Sequence, residues 1–121
     1  MVMADRLVKS PRYPRTLLFW PAKAPEEAAD YGFDWTDVLL SPVELASRAA
    51  GEKVAPSDGI KNSSYVLPPG IVASASSNTA TATTVTLTGG VEGAIYSIVN
   101  RVDTAGGRFF ERTVKLRVRA K

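Results

Sequence analysis

Five carboxylates crowd one short stretch of the chain, Glu26, Glu27, Asp30, Asp34 and Asp37, interleaved with the aromatics Tyr31, Phe33 and Trp35. Clustered carboxylates have two chemistries open to them. Converging oxygens can hold a hard cation such as calcium. A pair flanking a bound sugar can hydrolyse a glycosidic bond, one as the acid and the other as base or nucleophile. The spacing here matches no EF-hand loop, and no series of cleft-lining aromatics accompanies the carboxylates. The pattern favours a solvated acidic face. The remaining reactive inventory is thin, because the chain contains no histidine and no cysteine. That removes Ser-His and Cys-His nucleophiles, disulfides and thiolate metal sites. No phosphate loop of the GxxxxGK type occurs. The expectation is a protein that is not an enzyme and uses no cofactor or metal.

The chain has 121 residues and carries a net charge of +3, with 45% hydrophobic residues, enough for one core and a modest appendage. No apolar run approaches the ~18 residues that a membrane helix needs. The start, "MVMADRLVKSPRYPR", is charged and broken by proline, without the apolar core of a signal peptide. Synthesis in the cytoplasm is therefore expected, and Asn62-Ser63-Ser64 is not expected to be glycosylated. Charge is unevenly spread. Residues 1–23 net +4, residues 24–100 net −6 and residues 101–121 net +5. Basic ends around an acidic middle suit contact with a charged partner or with further copies of the chain.

The elements follow from pattern. Residues 1–24 contain Pro11, Pro14 and Pro21, each of which removes a backbone donor and fixes φ. They read as an extended arm, with a sandwich domain over residues 25–121. The arm carries "LLFW", Leu17, Leu18, Phe19 and Trp20, too short for a stable helix alone. These residues, with Arg12 and Arg15 beside them, are the expected anchors on a partner. The alternative makes residues 17–20 the first strand of the domain. Tyr31, Phe33 and Trp35 share one face of a strand at period two. In "SPVELASRAAG", Ser41, Pro42 and Glu44 form a capping box, predicting a short helix over about 41–51 that rests on the sheet through Val43, Leu45 and Ala49.

From Ile60 onward the chain reads as strands. Val85 and Leu87 alternate with Thr84, Thr86 and Thr88. Tyr96, Ile98, Asn100 and Val102 share a face, and "AGG" closes a hairpin. In the last strand Phe110, Val114, Leu116 and Val118 point inward, leaving Glu111, Thr113, Lys115, Arg117 and Arg119 outside. Short strands at this spacing, joined by Gly-rich turns, predict an all-β antiparallel sandwich. Lys115, Arg117 and Arg119 form a basic row. It lacks the interleaved aromatics of a nucleic-acid stacking platform, Phe109 and Phe110 being the sole candidates, so an acidic protein neighbour is the favoured partner.

Several pieces in order, "DYGFDW", "YVLPPGI", "SSNTATATTVTLTGG", "GAIYSIVNRVDTAGGR" and "ERTVKLRV", give the chain from about Asp30 to Val118 a resemblance to small immunoglobulin-like phage proteins described as fibre–tail adaptors. The helix and the N-terminal arm depart from that pattern. The resemblance implies an immunoglobulin-like sandwich and a structural virion component in several copies, joining tail fibre to tail. Neither nucleic acid nor membrane is expected as a partner. A carbohydrate-binding or adhesion module, with Tyr31 or Trp35 stacking on sugars, is the alternative.

Overall fold

The computed structural model describes residues 6–12 and 17–120. In chain order the elements are β1 (Leu7–Lys9), β2 (Leu18–Phe19), β3 (Ala29–Asp34), α1 (Thr36–Leu39), α2 (Pro42–Ala49), β4 (Ile60–Val66), β5 (Ile71–Asn78), β6 (Ala82–Gly89), β7 (Ile95–Thr104) and β8 (Phe109–Arg117). The strands form two four-stranded sheets, ordered β1-β3-β6-β5 and β2-β8-β7-β4. Pairing is antiparallel except where β1 lies on β3 and β2 on β8, both parallel. The expected all-β sandwich is present.

Period-two patterning sets which side chains meet between the sheets. β6 buries Thr83, Val85 and Leu87, β7 buries Tyr96, Ile98, Asn100 and Val102, and β8 buries Val114 and Leu116 with Val118 beyond its end. Tyr31, Phe33 and Trp35 line the inner side of β3 and its exit, all fully covered. One buried amide ties the sheets together. Asn100 Oδ1 accepts from Trp35 Nε1 at 2.9 Å and from Thr83 Oγ1 at 2.8 Å, while its Nδ2 donates to Ser63 Oγ and to the Ser64 carbonyl. The Tyr65 hydroxyl joins this network 2.8 Å from Thr83 Oγ1, and burial pushes its phenol pKa up.

The N-terminal segment holds a correction. Trp20, expected as an anchor on a partner, is 3% exposed and belongs to the chain's own core. It stacks on Tyr31 with ring centroids 4.8 Å apart, and its Nε1 donates to the Gly32 carbonyl at 3.0 Å. The physical reason is edge pairing: a proline-broken segment cannot enter a sheet interior, but it can serve as a short edge strand. β2 runs alongside β8, Trp20 N–H donates to the Lys115 carbonyl, and Lys23 N–H donates to the Arg117 carbonyl. Lys23 is itself buried, with Nζ 2.6 Å from the Gly89 carbonyl and 2.8 Å from that of Ala24.

The segment between β3 and β4 also differs from expectation in part. The strand stops at Asp34, whose Oδ1 accepts from Thr36 N–H and Thr36 Oγ1 and turns the chain into α1. The capping box at the start of α2 is present: Ser41 Oγ accepts from Glu44 N–H, and Glu44 Oε1 accepts from Ser41 N–H. The predicted seating is not. α2 buries no residue, and Val43 is 76% exposed. Val38, Leu39 and Leu40 just upstream take the buried positions instead. Polar ties hold α2 near the sandwich, through the Arg48–Asp37 ion pair and Ser57 N–H on Glu44 Oε2.

Candidate protein-docking face

The outer side of the sheet β2-β8-β7-β4 gathers residues that are distant in sequence. Register places Phe19 of β2 opposite Lys115 of β8, and Lys115 opposite Ser97 of β7, whose hydroxyl accepts from Lys115 Nζ. One step along, Thr113, Val99 and Val66 form a cross-strand row, followed by Glu111, Arg101 and Ser64. Arg101 and Glu111 make an exposed ion pair at 3.1 Å. At the two ends Ile95 lies opposite Arg117, and Phe109 opposite Asp103. Leu17, two residues before Phe19, falls on the same side by strand alternation.

Several of these apolar side chains are exposed: Leu17 at 69%, Phe19 at 54%, and, elsewhere on the same side of the sheet, Val66, Ile95 and Phe109. Single exposed apolar residues are ordinary, whereas a set on one face bordered by polar groups marks a contact surface. The basic groups Lys115, Arg117 and Arg101 stand among them, against Glu111 and Asp103. The face thus sets exposed aromatics among positively biased polar groups.

The expected site residues divide accordingly. Leu17, Phe19, Lys115 and Arg117 come together on this face. Arg119 is exposed just past β8, where its N–H donates to the Lys23 carbonyl. Leu18 is half-buried opposite Val114, and Trp20 is core. Arg12 turns toward the chain itself, donating to the Leu40 carbonyl at 2.6 Å. Arg15 lies outside the described residues. Pattern reading omitted Val66 and Ile95 and weighed Phe109 only as a base-stacking aromatic; their signal was a large apolar residue at a solvent-facing position of an alternating strand.

The acidic cluster does not assemble a site. Asp30 accepts from Thr86 Oγ1, Asp34 from Thr36, Asp37 pairs with Arg48, and Glu27 accepts from Ala24 N–H. Among the described residues no three His, Cys, Asp or Glu side chains are placed to hold a metal ion. Tyr31 and Trp35, expected to stack on sugars in the adhesion alternative, are 1% and 0% exposed, which takes that role from them.

Comparison with known families decides the identity. Residues 23–117 match the family described as Podophage GP4 fiber-tail adaptor protein gp77. The chain belongs to this fibre–tail adaptor family. Membership gives the protein a structural role in the phage tail and agrees with the resemblance read from Asp30 to Val118. The match spans β3 to β8 of the adaptor and leaves out β1 and β2, so Phe19 stands outside it and Lys115 and Arg117 inside. No curated protein matches the chain significantly.

Proposed function

We propose that this adaptor joins tail fibre to tail through protein–protein contacts alone, docking on a neighbouring subunit with the outer face of β2-β8-β7-β4. Leu17 and Phe19 from the N-terminal segment are the apolar anchors, and Lys115, Arg117 and Arg119 supply the charged border. The observation that carries this is the Phe19–Lys115 register, which joins the arm and the basic strand into one surface. The protein acts in several copies per particle, is made in the host cytoplasm, catalyses nothing, and touches neither nucleic acid nor membrane. Its sandwich is immunoglobulin-like: the antiparallel orders β3-β6-β5 and β8-β7-β4 match the BED and GFC strands of that fold, which supports the reading, although β1 lies parallel on β3 where that fold has an antiparallel A strand.

Photo-crosslinking tests the proposal. A benzophenone amino acid replacing Phe19 is expected to capture another virion protein in assembled particles. One replacing Val72, on the other sheet, is expected not to capture that same protein. Absence of any product from position 19 in particles that contain the adaptor contradicts the proposal.

A further inference from the structure

Where β8 begins, arginines gather around one small pocket. It is lined by Arg12, Val38, Arg108 and Phe110, has a volume of about 260 Å³ and opens to solvent. Buried Val38 and half-buried Phe110 give it an apolar floor. The Arg108 guanidinium lies over the Phe110 ring, 5.3 Å from its centroid. Arg112, two residues further along the same side of β8, lies over Trp35 at 5.6 Å.

Part of this arrangement is internal bracing. Arg12 Nη1 donates to the Leu40 carbonyl, and Arg108 Nη2 donates to that of Leu39 at 2.8 Å, closing the end of α1. Arg112 donates to the carbonyls of Pro11, Arg12 and Glu111. Bracing leaves two features over. Arg108 uses Nε on Asp58 and Nη2 on Leu39, while its Nη1 meets no acceptor among the described residues. Charge is also unbalanced. Asp58 is committed to Arg108 and Asp37 to Arg48, and Arg112 forms no ion pair among the described residues. Burial lowers the Arg112 pKa, as expected of a cation short of compensation.

A guanidinium with an unused edge above an apolar floor selects a carboxylate on a short apolar stem. Phosphate would satisfy the charge but set polar oxygens against Val38 and Phe110. The volume lies below the ~300–1,000 Å³ of sites for drug-sized ligands, which suits a single side chain. The fibre–tail adaptor family makes a protein the natural source of that side chain. We propose that this pocket receives an acidic side chain of another virion protein. Its stem packs on Val38 and Phe110, its oxygens accept from Arg108 Nη1, and the charges of Arg12 and Arg112 support it. The pocket lies on the inner side of β8, so it stands or falls independently of the docking face outside.

A titration of the isotope-labelled full chain, followed by NMR, tests this. The probes are the blocked peptide acetyl-Ala-Glu-Ala-amide and its neutral counterpart acetyl-Ala-Gln-Ala-amide. The glutamate peptide should shift the signals of Arg108 Nε–H, Val38 and Phe110 saturably in the millimolar range, and the glutamine peptide should not. Arg108→Gln should weaken binding about tenfold. Because that variant also breaks the pair with Asp58, Arg108→Lys is measured beside it. Lysine keeps the charge beside Asp58 and loses the second prong of the fork, so binding should still weaken while the remaining spectrum stays native. Equal shifts from both peptides, no saturable shift from either, or wild-type affinity in both Arg108 variants overturns the proposal. Inorganic phosphate and acetyl-Ala-Leu, with its free terminal carboxylate, separate the other anions. Tighter binding of either than of the glutamate peptide overturns the assignment to an acidic side chain.

Discussion

Phe19 lies opposite Lys115 across the parallel pairing of β2 with β8. This contact turns a proline-broken N-terminal segment and a basic C-terminal strand into one surface. It also divides neighbouring aromatics between two tasks. Phe19 faces solvent, while Trp20, one residue on, faces the core.

That division predicts opposite behaviour for the two residues. Trp20→Ala removes a buried ring stacked on Tyr31 and the hydrogen bond that its Nε1 donates to the Gly32 carbonyl. It should cost about 3–5 kcal/mol of stability, measurable by denaturant unfolding of the isolated protein. A loss under about 1 kcal/mol would mean that Trp20 contributes little to the core.

The basic border predicts a charge effect on assembly alone. Arg117 and Arg119 are exposed and form no ion pair among the described residues. Reversing both to Glu should leave the melting midpoint nearly unchanged and reduce incorporation into particles. Binding of the wild type should weaken with salt, as screening shortens to ~8 Å near physiological ionic strength. Normal incorporation of the reversed protein would make these residues a solvated edge only.

Much of the sandwich was legible because strands from β6 to β8 alternate cleanly, and alternation reports burial directly. The capping box of α2 was legible because Ser41, Pro42 and Glu44 act locally. The seating of α2 was not, since it depends on Val38, Leu39 and Leu40 filling the buried positions first. The fate of Trp20 was left open between a partner anchor and a first strand of the domain for a similar reason, and the strand is what forms. Proline at position 21 correctly excludes a central strand, but it does not exclude a two-residue edge strand that carries an indole inward. Half of the proposed docking surface was visible as a basic row. Its union with Phe19 required the β2–β8 register, which is a long-range property.

The exposed position of α2 leads to a local prediction. Ser41→Ala removes the acceptor for Glu44 N–H and should cost the helix about 1 kcal/mol. Because α2 buries nothing, amide exchange over residues 43–49 should quicken while the sandwich melts nearly as before. A fall in midpoint as large as that of Trp20→Ala would show that α2 is integral to the core.

Acid titration should reveal Asp58. Burial pushes its carboxyl up, but hydrogen bonds from Thr104, Gly106 N–H and Arg108 outweigh this and hold the pKa below its ordinary 3.8. A depressed native pKa stabilises the fold above the unfolded value, and that stabilisation is lost as pH falls through the native value. Asp58→Asn should therefore be less stable than wild type at neutral pH, with the gap closing below about pH 4. A gap that stays constant as the pH falls well below 4 would contradict the assignment.

The most direct test of the docking face is a paired measurement on Leu17→Ala with Phe19→Ala: melting of the free protein and its abundance in purified virions. Both side chains are exposed, so the free protein should melt within about 0.5 kcal/mol of wild type. Incorporation should fall strongly, since a central aromatic anchor contributes about 2 kcal/mol or more to an interface. Normal abundance in particles, with melting unchanged, would contradict the claim that this face holds the adaptor in the tail.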